Sequence, residues 1–127
     1  MNGSASALVD RVREAGTRAA KLTLYRISPS LKTLIAVTPA ALESFPDVRI
    51  DEIEDAATIA SAIEAIVASA PEPSDANLDA RSGLVFSDLD GSRVLAVYKG
   101  RFPSDGQIDL QRCAFEHPAL QEWLDAH

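Results

Sequence analysis

One tight turn between two apolar runs constrains the fold of this chain more than any other feature. Residues 81–87 and 92–99 are rich in aliphatic and aromatic side chains, and Asp88-Leu89-Asp90-Gly91 separates them. Asp-Gly is a strong hairpin signal, because a type I′ turn needs positive φ at both central positions. Strands joined by so short a connection pair antiparallel. The sequence therefore predicts an antiparallel sheet built around this hairpin.

Further segments have the composition of strands. Residues 107–115 alternate apolar and polar side chains and extend the hairpin to a three-strand meander. Residues 21–28 and 32–38 form another pair of apolar runs, and the turn residues Ser28-Pro29-Ser30 between them predict a second hairpin. Residues 48–50 fit either a short strand or an extended link.

Helical periodicity is strongest in residues 55–70, whose apolar side chains fall on one face. Asp55 is the expected N-cap of this central helix, and the acidic, proline-rich residues 71–75 are expected to end it in an exposed loop. Thr38 and Pro39 predict the N-cap and first position of a short helix that ends near residue 45.

Both ends of the chain are also expected to be helical. An N-terminal helix is predicted with Ser6 as its cap and Gly16 at its end. A closing helix is predicted to open at His117-Pro118 and to place Leu120, Trp123 and Leu124 on one side.

These elements predict an α+β fold in one domain, residues 1–127. It contains a single antiparallel sheet of about five strands, a hairpin plus a three-strand meander, with the central and terminal helices packed on it. A chain of 127 residues is long enough to bury a core without disulfides or metal ions. Cys113 is the only cysteine, so an intramolecular disulfide is excluded.

Negative charge is concentrated in the middle of the chain. The net charge is −7, and residues 41–80 hold ten acidic side chains against one basic side chain. This field repels nucleic acid and attracts basic partners. The sequence also lacks a secretory signal and an apolar run of the roughly 18 residues that a membrane span needs. We therefore expect a cytoplasmic protein that binds neither nucleic acid nor membranes.

Two patterns resemble catalytic motifs and are better explained by structure. Residues 84–92 resemble the first motif of haloacid-dehalogenase-type phosphatases, in which Asp88 and Asp90 would be catalytic. That family needs further parallel strands, whereas here Ser92 leads directly into an antiparallel hairpin. Cys113 and His117 are expected to be a core thiol and a residue at a helix start. No spacing of His and Cys fits a metal site, so we expect no catalytic, cofactor or metal-binding residues.

Size, acidity and predicted architecture are similar to those of the immunity proteins of bacterial toxin systems. The shared character includes an antiparallel sheet with helices and a closing strand followed by a helix that contains Leu120, Trp123 and Leu124. The resemblance implies a module that neutralises a basic protein by covering its cationic site. By their chemistry, we expect the partner-binding residues to be Glu43, Asp47, Asp51, Glu52, Glu54 and Asp55.

An alternative is a small enzyme or ligand-binding domain of an uncommon type. Its polar groups would come from Tyr25, Tyr98, Arg93, Asp88 and His117. The oligomeric state stays open between a monomer and a homodimer, since strand 107–115 could be an edge that pairs with a second copy.

Overall fold

The computed structural model describes residues 3–28, 36–102 and 104–127. The elements in chain order are α1 (Gly3–Gly16), β1 (Lys21–Arg26), α2 (Pro39–Glu43), β2 (Arg49–Ile53), α3 (Ala56–Ala68), β3 (Pro71–Pro73), β4 (Ala80–Ser87), β5 (Arg93–Gly100), β6 (Asp105–Ile108), β7 (Gln111–Phe115) and α4 (Ala119–Ala126). No helix among these residues is long and apolar enough to cross a membrane.

The strands form one antiparallel sheet in the order β2-β1-β4-β5-β6-β7-β3. The α+β class and the single antiparallel sheet are confirmed. The described part of the chain contains seven strands, however, so the prediction of about five was too low. The additional strands are short and lie at or near the sheet edges.

The predicted N-terminal hairpin is wrong. β1 pairs with β2 on one side and with β4 on the other, so both of its edges are occupied. Of the predicted partner strand, residues 32–35 lie outside the described residues, and residues 36–38 are not in a strand. Residues 48–50 instead lead into β2, which supplies the pairing that we had expected from residues 32–38.

Two further segments were divided or classified incorrectly. Residues 107–115 are not one strand, because a turn at Asp109 and Leu110 separates β6 from β7. The expected acidic loop after α3 begins with β3, which pairs with β7. Strand β7 is therefore internal to the sheet, and it is not the dimerisation edge that the sequence suggested.

The β4–β5 hairpin is confirmed, but its turn differs from the predicted type I′. The Gly91 amide donates to the Asp88 carbonyl at 3.0 Å, and the Asp88 amide donates to the Ser92 carbonyl at 2.9 Å. Within this turn, all of which is described, positive φ occurs at Gly91 alone, where φ is +84°. The Asp88 carboxylate also accepts hydrogen bonds from the amides of Asp90 and Ser92.

The main core lies between one face of the sheet and the helices α1, α3 and α4. Alternate residues of the central strands point into it, among them Leu22, Leu24, Leu84 and Phe86. The N-terminal helix is docked, since Val12 is fully buried. It starts earlier than predicted, so Ser6 lies inside α1 and is not its cap. The apolar side of α4 is buried at Leu120, Trp123 and Leu124, as predicted.

A second, smaller core covers the opposite face of the sheet. In this core, Leu42 of α2 and Tyr98 of β5 pack together with apolar residues from the segments that lead into and out of the central strands. Two of the three predicted N-caps are confirmed: the Thr38 hydroxyl accepts from the Ala41 amide at 3.1 Å, and the Asp55 carboxylate accepts from the Thr58 amide at 2.9 Å.

Candidate functional site

Strand β2 carries the centre of the predicted acidic surface. It is an edge strand, and its residues alternate between the two faces of the sheet. Ile53 packs against the main core, so Asp51 lies on the helix-covered face and Glu52 on the opposite face. The acidic residues of β2 therefore lie on both faces at this edge of the sheet.

Basic side chains partly neutralise both carboxylates on β2. Asp51 lies 3.1 Å from the Arg26 guanidinium and 3.0 Å from that of Arg49. Glu52 lies 2.7 Å from Lys21 Nζ, and this contact raises the pKa of the lysine above its ordinary value. The salt bridges hold β2 to β1 through side chains in addition to the backbone ladder.

Two acidic residues bracket the strand without such partners. Asp47 precedes β2 and Glu54 follows it, and both side chains are exposed. Among the described residues, neither forms an ion pair. Asp55 comes next, but its carboxylate caps α3, and the hydrogen bonds from the Thr58 hydroxyl and amide lower its pKa.

Glu43 does not belong to this surface. Its side chain reaches β5, where Tyr98 Oη donates to Glu43 Oε2 at 2.6 Å and the Arg93 guanidinium donates to both carboxylate oxygens. Strands β1 and β4 lie between β5 and β2, which separates the two places by about 14 Å at the usual strand spacing. The sequence placed Glu43 with the other acidic residues only because they are neighbours along the chain.

Burial and hydrogen bonding act in opposite directions on this half-buried cluster. Burial alone would raise the pKa of Glu43, but the hydrogen bonds from Arg93 and Tyr98 keep it below its ordinary value. Burial, followed by the bond to Glu43, raises the pKa of Tyr98 well above its ordinary value. The phenol therefore stays protonated and acts as a hydrogen-bond donor at neutral pH.

A cleft of about 390 Å³ lies beside Glu43. Its floor is the start of β5, and a second ion pair forms another wall, with Arg11 Nε 2.9 Å from Asp109 Oδ2. The Asp109 carboxylate also accepts from the Ala96 amide at 3.0 Å, and its backbone has positive φ at the first position of the two-residue β6–β7 turn. Leu110, at the tip of the β6–β7 turn, lines the cleft and is 96% exposed.

No pattern in the sequence indicates the pairing of Arg11 with Asp109. These residues are 98 positions apart, and only the packing of α1 against the sheet brings them together. The cleft combines an apolar floor with two internally neutralised ion pairs. Such a surface suits a small molecule or a single side chain with both apolar and polar parts.

A second cleft of about 390 Å³ lies at the start of β2, next to α4. Asp47 and Asp125 line it together with Arg26 and Arg49. The two arginines already contact Asp51, whereas the structure shows no ion pair for Asp47 or Asp125 within the described ranges. Asp47 is therefore open to a cation from outside the chain, whereas Asp125 accepts a hydrogen bond from Gln121, and its charge partly offsets the effect of burial, which lowers the pKa of Lys99.

The other residues singled out in the sequence do not form a site together. Asp88 is committed to the β4–β5 turn, and His117 is exposed where α4 begins. Cys113 is buried, and burial raises the pKa of its thiol to about 12, so the thiol is protonated and unreactive at neutral pH. Of the alternative's polar groups, Arg93 and Tyr98 are brought together at Glu43, and Tyr25 packs against the smaller core that contains Tyr98. The described residues contain no group of three or more His, Cys, Asp or Glu that could hold a metal ion.

Comparison with known proteins gives no match. No family model fits the chain, and neither a curated protein nor a solved structure is significantly similar to it.

Proposed function

We propose that this protein is a binding module that neutralises a basic protein partner by direct contact, in the manner of an immunity protein. The observation that carries the proposal is the position of Asp47, Asp51, Glu52 and Glu54 along one exposed edge strand and its two ends. Acidic residues spread along a rigid edge can meet an extended cationic surface without first ordering a loop.

The charge balance at this edge stays negative after internal pairing. Five carboxylates, those just named and Asp55, stand against the basic side chains of Lys21, Arg26 and Arg49. The local net charge is therefore −2, and the unpaired carboxylates are at the ends of the strand. Opposite charges of this kind raise the association rate and select the partner, more than they set the final affinity.

Co-expression with a candidate toxin tests the proposal directly. The product of the neighbouring gene is expressed in a bacterial host alone, with this protein, and with a variant carrying Asp47→Lys and Glu54→Lys. Growth should stop in the first culture, recover in the second and recover only partly in the third. If this protein gave no protection against a neighbouring product that does stop growth, the immunity function would be wrong.

A second candidate function is the binding of a small ligand in the cleft beside Glu43. It is favoured by the volume of the cleft and by the polar groups of Glu43, Arg93 and Tyr98 at one wall. A screen of small amphiphilic molecules by NMR tests it. Binders should shift the amides of residues 93–96, and Leu110→Ala should alter their affinity, whereas Leu89→Ala, at the neighbouring turn, should not.

A further inference from the structure

The two edges of the sheet differ in their capacity to accept another strand. At one edge, β3 is only three residues long, and Pro71 and Pro73 cannot donate backbone hydrogen bonds. At the other edge, β2 has five residues, no proline and no irregularity in its register with β1. Natural proteins protect exposed edges with short strands, prolines and charged side chains; β3 has the first two, whereas β2 has only charged side chains, which leave its backbone available to a strand of opposite charge.

In the part of the chain that the structure describes, nothing pairs with the outer side of β2. Within the described residues, β1 is the only segment that forms backbone hydrogen bonds with residues 49–53. About half of the amide and carbonyl groups of an antiparallel edge strand point away from its neighbour. Ile50 is 50% exposed at this edge, so an added strand would also cover apolar surface.

We propose that the outer edge of β2 accepts a basic, extended segment of the partner protein as an eighth strand of the sheet. This site deepens, and rests on, the proposed function. Backbone hydrogen bonds would supply much of the affinity of such an interaction, and the side chains beside the strand would supply its specificity. Asp51 lies on one face of the sheet and Glu52 on the other, so a lysine or arginine of the incoming strand can meet a carboxylate on either face.

The net charge of −2 at this edge favours a basic partner over a second copy of this chain, since a second copy would bring two negative edges together. In a symmetric antiparallel pairing centred on Asp51, that residue would face its own copy, and Asp47 would face Asp55. Like charges directly opposite each other destabilise a strand pair. A basic segment meets opposite charge at Asp51 and Glu52 and like charge within β2 only at Arg49, and a basic side chain placed beyond the start of β2 reaches the cleft that Asp47 and Asp125 line.

Synthetic peptides test the site on the intact protein. The probe is a peptide of alternating lysine and valine, about six residues long, as strands usually are. It should bind and slow the hydrogen exchange of outward-facing amides in residues 49–53. A peptoid with the same side chains has no backbone N–H groups and should bind at least about tenfold more weakly. The glutamate–valine counterpart should not bind.

Matched variants of the protein separate strand addition from general attraction. Ile50→Lys places a positive charge at the β2 edge and should weaken peptide binding several-fold. Leu89→Lys makes the same kind of change at an exposed turn, where the leucine is 93% exposed, and should leave binding unchanged. Exchange of the remaining amides confirms that both variants are folded.

Several outcomes would overturn the strand-addition site. Equal affinity for the peptide and the peptoid would show that charge alone holds the probe. Protection from hydrogen exchange centred on residues 93–96 would place binding at the cleft beside Glu43. A dimer in which residues 49–53 are protected from exchange would make a second copy of the chain the occupant. Peptide binding and protection of cells from the toxin are separate measurements. If the cells are protected but the peptide does not bind, only the strand-addition site is rejected. If the peptide binds but the cells are not protected, only the immunity function is rejected.

Discussion

At the scale of single residues, the carboxylate of Asp79 is the counter-charge of a buried cation. Arg81 is only 1% exposed, and its Nη2 atom donates to Asp79 Oδ2 at 2.9 Å, while the Nε and Nη1 atoms find no acceptor among the described residues. Asp79→Asn should lower the free energy of unfolding by about 3–5 kcal/mol, because it leaves a buried charge uncompensated. Urea denaturation at pH 7 measures the loss.

Asp75→Asn is the matched control for this prediction. Asp75 is exposed in the loop that leads towards β4, so its free energy of unfolding should change by less than about 0.5 kcal/mol. Equal losses in the two variants would contradict a special role for Asp79. Asp79 is one of the ten acidic side chains of residues 41–80, and composition does not reveal which of these carboxylates faces a buried cation.

Glu43 should make stability depend on pH at acidic values. Its folded-state pKa lies below the ordinary value of 4.5, so its contribution is present above that value and is lost as pH falls through the folded pKa. Glu43→Gln should cost about 1–2 kcal/mol at pH 7, because the bonds from Arg93 and Tyr98 weaken. The difference from the unmodified protein should shrink below about pH 4.

The control for this titration is Glu64→Gln on the exposed side of α3. The Glu64 carboxylate lies 3.8 Å from Arg13, and both side chains are mostly exposed, so the pair contributes little. Urea denaturation of the three proteins at pH 7 and at pH 3 gives the comparison. A Glu43→Gln deficit that stayed constant across this range would rule out the carboxylate charge as its cause.

At the scale of elements, Ser69 connects the end of α3 to the start of α4. Its buried hydroxyl accepts from the Leu120 amide at 2.8 Å and donates to the Ala65 carbonyl at 2.9 Å. No side chain at Pro118 caps α4, so a residue 51 positions away performs that role. Ser69→Ala should lower the free energy of unfolding by about 1–2 kcal/mol, as the loss of a buried cap does.

Ser61→Ala provides the comparison within the same pair of helices. The Ser61 hydroxyl accepts from Trp123 Nε1 at 2.8 Å, but Ser61 is exposed and water can replace it. The free energy of unfolding of Ser61→Ala should fall by less than about 1 kcal/mol in the same urea titration. A larger loss for Ser61→Ala than for Ser69→Ala would contradict the capping role of Ser69.

The elements that could be predicted from the sequence are those that local chemistry specifies. The N-caps Thr38 and Asp55 and the Asp90-Gly91 turn act over a few residues, and all three occur where they were expected. Strands β2 and β3 depend on partners distant in sequence, and Pro71 and Pro73 resemble a loop until β7 lies beside them. The prediction for Glu43 was wrong for the same reason: Glu43 is close to the β2 residues along the chain, but its side chain contacts β5.

At the scale of the whole molecule, the uneven charge distribution should determine how fast a basic partner associates. Glu52 and Glu54 lie at the β2 edge, whereas Glu64 and Glu72 are exposed on α3 and on β3 at the opposite edge. The association rate with a captured basic partner should fall at least about tenfold between about 0.1 and 1 M salt, because the Debye length shortens over this range from about 10 to about 3 Å.

Paired charge reversals locate the source of this attraction. Glu52→Lys with Glu54→Lys and Glu64→Lys with Glu72→Lys change the net charge equally, from −7 to −3. If the β2 edge meets the partner, the first variant should associate more slowly and show a flatter salt dependence, since close charges dominate over distant ones. The second variant should stay near the unmodified protein in surface plasmon resonance. Equal slowing in both variants would mean that the partner responds to net charge alone and that the edge has no privileged role.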